Sequence, residues 1–316
     1  MFKYLFKSII FISIFCVLYT FLPNIFEKSR DAKKWEYIYN ENNEINTLFM
    51  GSSLIFTSIN PNIIDPLLNQ ESFILGSSGQ NIIQSYYNLI EVLKYQKPQK
   101  IVLDVNTFLI NKENQKTGLI YNNLSGMKLS KNKINSFLNT IHNKGILSDE
   151  KRIELNKMSF YEKYDFIITL ITKERFNWKN KLKKITFNKK KSPNVKNKGF
   201  LEKESKISLI EYNNFLKNRA TQKNKIISDE NIYFLEKFIF LCEKNNLDLI
   251  FIKTPTLLNI NINNQLNYYI DNHTIKYYDY ESHFNQINFT KDDFYDESHL
   301  SKYGAEKFSY YFATTF

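Results

Sequence analysis

Cysteine, proline and glycine are all scarce in this chain: two, six and eight among 316 residues. Cys16 falls in an apolar N-terminal segment and Cys242 in a helical pattern, so a structural disulfide is not expected. So few prolines and glycines leave few break points, so composition leaves the domain boundaries open. Also missing are a zinc-ligand spacing, a P-loop and a dinucleotide fingerprint, so neither a cofactor nor a metal is expected. Of the four histidines, His142, His273 and His283 read as ordinary surface residues, and only His299 has a setting that suggests chemistry. What is abundant excludes disorder: 43% of the residues are hydrophobic and 16% aromatic. A net charge of +11 points to an anionic partner or surface without specifying either. Lysine and asparagine are common throughout, which weakens any reading built on one of them. No nucleic-acid partner is expected.

From Ser8 to Phe26 there is no charged residue; Lys3 and Lys7 precede the run, and Glu27, Lys28, Arg30 and Asp31 follow it. Its length is close to the ~20 residues that span a bilayer. No small-x-small cleavage site follows it, and Phe15 before Cys16 disfavours lipoprotein processing. Residues 1–26 are therefore expected to be a membrane anchor and 27–44 a polar tether. Basic residues flank both sides, so charge alone leaves the orientation open.

The soluble part, 45–316, alternates strand and helix at its two ends. Short apolar runs at Ile45–Met50, Phe73–Leu75 and Ile101–Leu103 predict buried parallel strands, with a helix between Gln80 and Gln96. The alternation returns with a helix over Glu230–Asn245, strands at Leu247–Ile252 and Ile275–Tyr278, and a helix over about Ser301–Tyr311. Neither half could cover its strands alone, so both must share one sheet. Between them, a stretch at about 110–225 breaks the rhythm and reads as a largely helical insertion, with helical spacing over Phe160–Thr172. It carries a dense basic run, Lys179–Lys198, which reads first as a solvated loop and second as an anion-binding surface.

Two stretches carry the chemistry. Gly51-Ser52-Ser53 ends the first strand, where Ser53 would stand at the carboxyl edge of a parallel sheet. Asp296-Glu297-Ser298-His299 precedes the last helix, with the carboxylate and the imidazole three residues apart. A serine hydroxyl needs an imidazole to accept its proton, and a carboxylate to fix that imidazole's tautomer. Ser53, Asp296 and His299 supply all three groups in the chain order Ser, Asp, His. Donors for a developing oxyanion are expected from the backbone of Ser53 and Gly79 and from the side chain of Asn106, each just beyond a strand end. Taken singly, Gly-Ser-Ser is an ordinary turn and Asp-x-x-His an ordinary helix cap. Their joint placement carries the case.

Gly51-Ser52-Ser53-Leu54, Gly79 and Asp296-x-x-His299-Leu300 resemble the first, second and last blocks of the SGNH/GDSL hydrolases. Ser53 takes the nucleophile position, although Gly-Ser-Ser replaces the usual Gly-Asp-Ser. The family's Gly-x-Asn-Asp block is absent; Asp104-Val105-Asn106 lies nearby without matching it. With the apolar N-terminus, this pattern is most similar to the branch that holds the D-alanine transfer protein of teichoic acid modification and alginate O-acetylation proteins. The resemblance covers about 45–110 and 230–316. It implies a flavodoxin-like three-layer α/β/α fold with strand order 2-1-3-4-5. It also implies an extracytoplasmic domain acting beside a membrane-bound O-acyltransferase on an acylated glycan or anionic polymer. Three functions follow: transfer of acyl groups on a glycopolymer, a stand-alone esterase or lipase, and a non-catalytic tethered scaffold.

Overall fold

The computed structural model describes residues 30–111, 113, 115–141, 157–159, 162, 197–219 and 223–316. Five parallel strands form its central sheet: β1 Thr47–Gly51, β2 Ser72–Gly76, β3 Lys100–Asp104, β4 Asp248–Lys253 and β5 Lys276–Asp279. In space they run β2-β1-β3-β4-β5. The order reverses direction beside β1, and open α/β sheets keep their ligands at such a point, outside the carboxyl ends of the strands.

The apolar strand runs are explained by layers on both faces. β1 and β2 are buried along their whole length. On one face Leu48, Met50, Phe73, Leu75, Ile101, Leu103, Leu249 and Phe251 enter one core. The alternate residues Phe49, Ile74, Val102, Ile250 and Ile252 enter a second core on the other face. A strand that buries both faces cannot show the polar alternation of a half-exposed one, which is why these segments read as continuous hydrophobic runs.

The first core is covered by α1 (Arg30–Tyr39), α4 (Ile82–Val92), α5 (Thr117–Leu124), α6 (Lys131–Thr140) and α8 (Asp229–Lys244). Short α2 (Ser53–Ser58), α3 (Pro61–Leu68) and the last helix, α11 (Lys302–Thr315), cover the second. α4 begins in a reciprocal capping box between Asn81 and Gln84, and Ser228 caps α8. Three further helices lie among the described residues: α7 (Leu209–Arg219), α9 (Asn263–His273) and α10 (Phe284–Ile287).

The stretch expected as a polar tether holds α1, and that helix belongs to the domain. Trp35 and Ile38, one turn apart, are 1% and 0% exposed in the first core. Trp35 Nε1 donates to the Asn123 carbonyl at 3.3 Å. Gln96 Nε2 donates to the carbonyls of Ile38 and Asn40 at 2.9 and 3.1 Å, satisfying the helix's C-terminal end. Its polar first turn is also docked: Ser77 Oγ donates to Asp31 Oδ1 at 2.8 Å, and Lys34 Nζ donates to the Gly76 carbonyl. Seven charged residues in 27–37 hide a two-residue apolar stripe, so composition alone reads this stretch as solvated.

Of the insertion, α5, α6, α7 and a two-residue pairing of Lys223–Asn224 with Ile260–Asn261 lie among the described residues. Most of Phe160–Thr172 and of the Lys179–Lys198 run lies outside them, as does the apolar stretch Ser8–Phe26. Among the described residues no helix is long and apolar enough to cross a membrane.

Candidate active site

β1 delivers Ser53 through a turn that needs glycine. Gly51 has φ +155°, and a Cβ on it would lie 3.1 Å from Asp104 Cβ and 3.3 Å from Thr107 Oγ1. The two serines that follow divide the work. Ser52 is buried at 3% exposure and caps α2, its side chain accepting from the Leu54 amide at 3.3 Å. Ser53, the first helical residue, stays partly exposed.

The second half of the site is a tight loop before α11. Phe294 and Leu300 form an isolated antiparallel bridge, and the Tyr295 amide donates to the His299 carbonyl at 2.9 Å. Inside this loop Asp296 Oδ1 accepts from the amides of Ser298 and His299, both at 2.9 Å. The first turn of α11 locks the base of the loop. Ser301 donates its amide to the Asp293 carbonyl at 2.8 Å, and a Cβ on Gly304 would come within 2.1 Å of that same oxygen. Only glycine permits so close an approach.

These two segments meet. His299 Nε2 lies 2.7 Å from Ser53 Oγ. Its other ring nitrogen, Nδ1, lies 2.8 and 2.9 Å from the two oxygens of Asp296. Partial burial pushes the Asp296 carboxyl up, but hydrogen bonds from the His299 ring and the Ser298 amide outweigh it and hold the pKa below the ordinary value. Asp296 is therefore an anion at neutral pH, and it fixes the tautomer that donates from Nδ1 and leaves Nε2 to accept from Ser53.

Loops after β4 and β5 hold the Asp296 loop in place. The Leu257 amide donates to the Glu297 carbonyl at 2.9 Å. Thr256 in turn donates its amide to Glu281 Oε2 at 2.9 Å, and Arg219 of α7 donates to the Thr256 carbonyl at 2.6 Å and to Glu281. This buried ion pair links the insertion to the loop that carries the triad carboxylate.

Of the expected oxyanion donors, the backbone amides of Ser53 and Gly79 make no described hydrogen bond. Asn106 is 9% exposed, and its Nδ2 donates to Asp104 Oδ1 at 3.1 Å. One of its two amide protons is thus directed to a neighbouring carboxyl. Asp104 itself carried no sequence signal. It ends β3 fully buried, packed behind Gly51, with Oδ2 lacking any hydrogen bond of good geometry. Burial pushes its pKa up to about 7, against the Asn106 side chain and amide and the neighbouring Thr254, which favour the ionised form.

Several cations lie on aromatic rings carried by the segments of Ser53 and Asp296. Arg30 Cζ lies 3.6 Å from the centre of the Phe56 ring, three residues after Ser53, and Lys34 Nζ lies 5.0 Å from it. Lys203 and Lys206 stand 4.0 and 5.7 Å from the ring of Tyr295, the residue before Asp296. Burial pushes the Lys34 ammonium down to about 7, with Arg30 adding to the effect and Asp31 opposing it. A cavity of about 480 Å³ lined by Asn46, Asp65, Glu71 and Lys198 lies elsewhere, at the amino ends of β1 and β2. Among the described residues no group of three His, Cys, Asp or Glu side chains is placed to hold a metal ion. His273 pairs with Glu243 at 2.8 Å and His283 meets Tyr311 Oη at 3.1 Å, while His142 lies outside the described residues.

The fold and the site together define a parallel α/β domain with a five-stranded sheet and a Ser-His-Asp constellation at its carboxyl edge. No protein-family model matches the chain, and no curated protein matches it.

Proposed function

We propose that the protein is a membrane-anchored SGNH-type serine acyltransferase or esterase with a flavodoxin-like three-layer domain. It acts on ester-linked acyl groups of an extracytoplasmic glycopolymer, beside a membrane-bound O-acyltransferase. The observation that carries this reading is the continuous contact from Ser53 Oγ through the His299 ring to the Asp296 carboxylate. In the first step Ser53 Oγ attacks the acyl carbonyl while His299 Nε2 takes the hydroxyl proton. The tetrahedral oxyanion is received by the amides of Ser53 and Gly79. Collapse breaks the bond to the donor, whose leaving group takes the proton from His299, and leaves Ser53 acylated. A hydroxyl of the acceptor then gives its proton to His299, attacks the acyl-serine and departs with the acyl group. Asp296 stabilises the imidazolium in both halves.

Chain length supports work at a membrane surface. From Phe26, the end of the apolar stretch, to Arg30 the chain can extend at most about 14 Å. Arg30 packs on Phe56, beside the site. An anchor at 8–26 would therefore hold Ser53 close to the bilayer, raising its effective concentration next to an integral acyl donor. A free esterase has no evident need of that arrangement. Deleting the gene should lower ester-linked acyl groups on a surface glycan, with the wild-type gene restoring them and Ser53→Ala failing to do so. Restoration by Ser53→Ala would sink the proposal. Rapid hydrolysis of simple esters by the purified protein, with surface acylation unchanged in the deletion, would replace it with the stand-alone esterase. A C-terminal alkaline phosphatase fusion should be active; an inactive one beside a fluorescent cytoplasmic reporter would reverse the topology.

A further inference from the structure

The turn after β2 carries Gly79, and it touches the turn that carries Ser53. The Ser77 amide donates to the Gly51 carbonyl at 3.3 Å, and the Gln80 amide closes the turn on the Ser77 carbonyl at 3.0 Å. Gly79 sits inside it at φ +66°. Such a turn aims its amides firmly only where its peptide planes are held from outside. α1 holds the first half, through Asp31 on Ser77 Oγ and Lys34 on the Gly76 carbonyl.

The second half is held by the insertion. Gln115 Nε2 donates to the Gly79 carbonyl, and to Gln84 Oε1 at 3.0 Å. Gln84 Oε1 also accepts from the Asn81 amide at 3.2 Å, so Gln115 ties Gly79 to the capped first turn of α4. α5 adds two contacts. Asn123 Nδ2 donates to Gln80 Oε1 at 2.8 Å, and a Cβ on Gly79 would stand 2.9 Å from Leu119 Cδ1.

The chemistry of Gln115 points beyond packing. A carbonyl only accepts, so contact with the Gly79 carbonyl assigns the NH2 end of the side chain to that side. The other end, Oε1, is buried without a hydrogen-bond partner. An apolar side chain of similar length would avoid that cost. What the glutamine offers against it is the pair of bonds made by Nε2.

We propose that Gln115 is a positioning residue of the acyl-transfer site: it fixes the Gly79 peptide so that the Gly79 amide is aimed at the developing oxyanion. The proposal rests on the acyl-transfer reading above and makes the insertion part of its machinery. Gln115 acts through Gly79 rather than on the substrate. A donor fixed in advance needs no reorganisation as charge develops, so its effect belongs to the transition state more than to substrate binding.

The test is steady-state hydrolysis of p-nitrophenyl acetate by the full chain in neutral-detergent micelles, with inhibition by phenylboronic acid measured alongside. The boronate adds to a serine hydroxyl as a tetrahedral anion and so reports the oxyanion site. Gln115→Met and Gln115→Glu should each lower kcat by about tenfold or more, with KM within about twofold of wild type and an unchanged melting temperature. Gln115→Glu, which turns a carboxylate toward the Gly79 carbonyl, should be the slower of the two. Boronate affinity should fall by the same factor as kcat/KM. Unchanged kcat in both variants beside an inactive Ser53→Ala would overturn the positioning role and leave the acyl-transfer reading standing. Lower kcat matched by a lower melting temperature, with boronate affinity unchanged, would make the contact structural only and overturn it as well. Turnover by Ser53→Ala at the wild-type rate would remove the acyl-transfer reading and the proposal with it.

Discussion

His299 Nε2 and Ser53 Oγ stand 2.7 Å apart although 246 residues separate them in the chain. One lies at the turn after the first strand and the other in the loop before the last helix, so the contact exists only when both ends of the chain share one sheet.

Asp296→Asn should leave the fold intact and remove most of the activity. An amide can present its NH2 to Nδ1 and favour the wrong imidazole tautomer, as in serine proteases, where the loss is on the order of 10⁴-fold in kcat. Steady-state turnover of an activated ester, measured beside the circular dichroism spectrum, checks this. Retention of more than a tenth of the wild-type rate would separate Asp296 from the chemistry.

Asp104 makes stability depend on pH in a direction opposite to most carboxylates. Below the ordinary aspartate pKa of 3.8 its carboxyl is protonated in both folded and unfolded chains. As pH rises toward about 7 the unfolded chain ionises while the folded one does not, so stability falls and then levels off. Asp104→Asn removes that cost and keeps an oxygen to accept from Asn106. It should stabilise the protein by on the order of 4 kcal/mol at pH 8 and by almost nothing at pH 3. Urea titrations at the two pH values measure it, and an equal effect at both would place the Asp104 pKa near its ordinary value.

Arg219→Met should destabilise the domain by about 3 kcal/mol, because it leaves Glu281 buried without its partner. Glu281 feels burial first, which raises its pKa, with Arg219 as the largest opposing influence. The Thr256–Leu257 segment loosened by this change holds the Glu297 carbonyl, so ester turnover should fall together with stability. Glu281→Gln, which leaves no buried charge unpaired on the carboxyl side, should cost less. Equal melting temperatures for wild type and Arg219→Met would show that the pair is not what fixes the loop.

The domain should begin at α1. A chain lacking 1–28 is expected to fold, and one lacking 1–44 to lose Trp35, Ile38 and much of its stability. Trp35→Ala alone should cost about 3–5 kcal/mol. Thermal unfolding of the two shortened chains decides between a packed helix and a tether; equal stability would contradict the packing.

The sheet was legible in the sequence because strands buried on two faces leave short apolar runs that end at Gly51, Gly76 and Asp104. The meeting of Ser53, Asp296 and His299 was legible because the three sit at a strand end or a helix entrance, where local spacing reveals geometry. α1 was not, since the apolar stripe of Trp35 and Ile38 is outnumbered by charges that turn out to be docked on Gly76 and Ser77. Asp104 and Lys203 were equally hidden. Each matters through what the fold places beside it: Gly51 and Asn106 for one, the Tyr295 ring for the other. No spacing along the chain records those meetings.

The most direct measurement is the intact mass of the protein after brief exposure to a small activated ester such as p-nitrophenyl acetate. Wild type should gain one acetyl group, mapped by peptide sequencing to Ser53, with the adduct accumulating in His299→Ala far more slowly and Ser53→Ala gaining none. Acetylation of Ser53→Ala at the wild-type rate, or a wild-type adduct mapped away from Ser53, would contradict a Ser53 nucleophile.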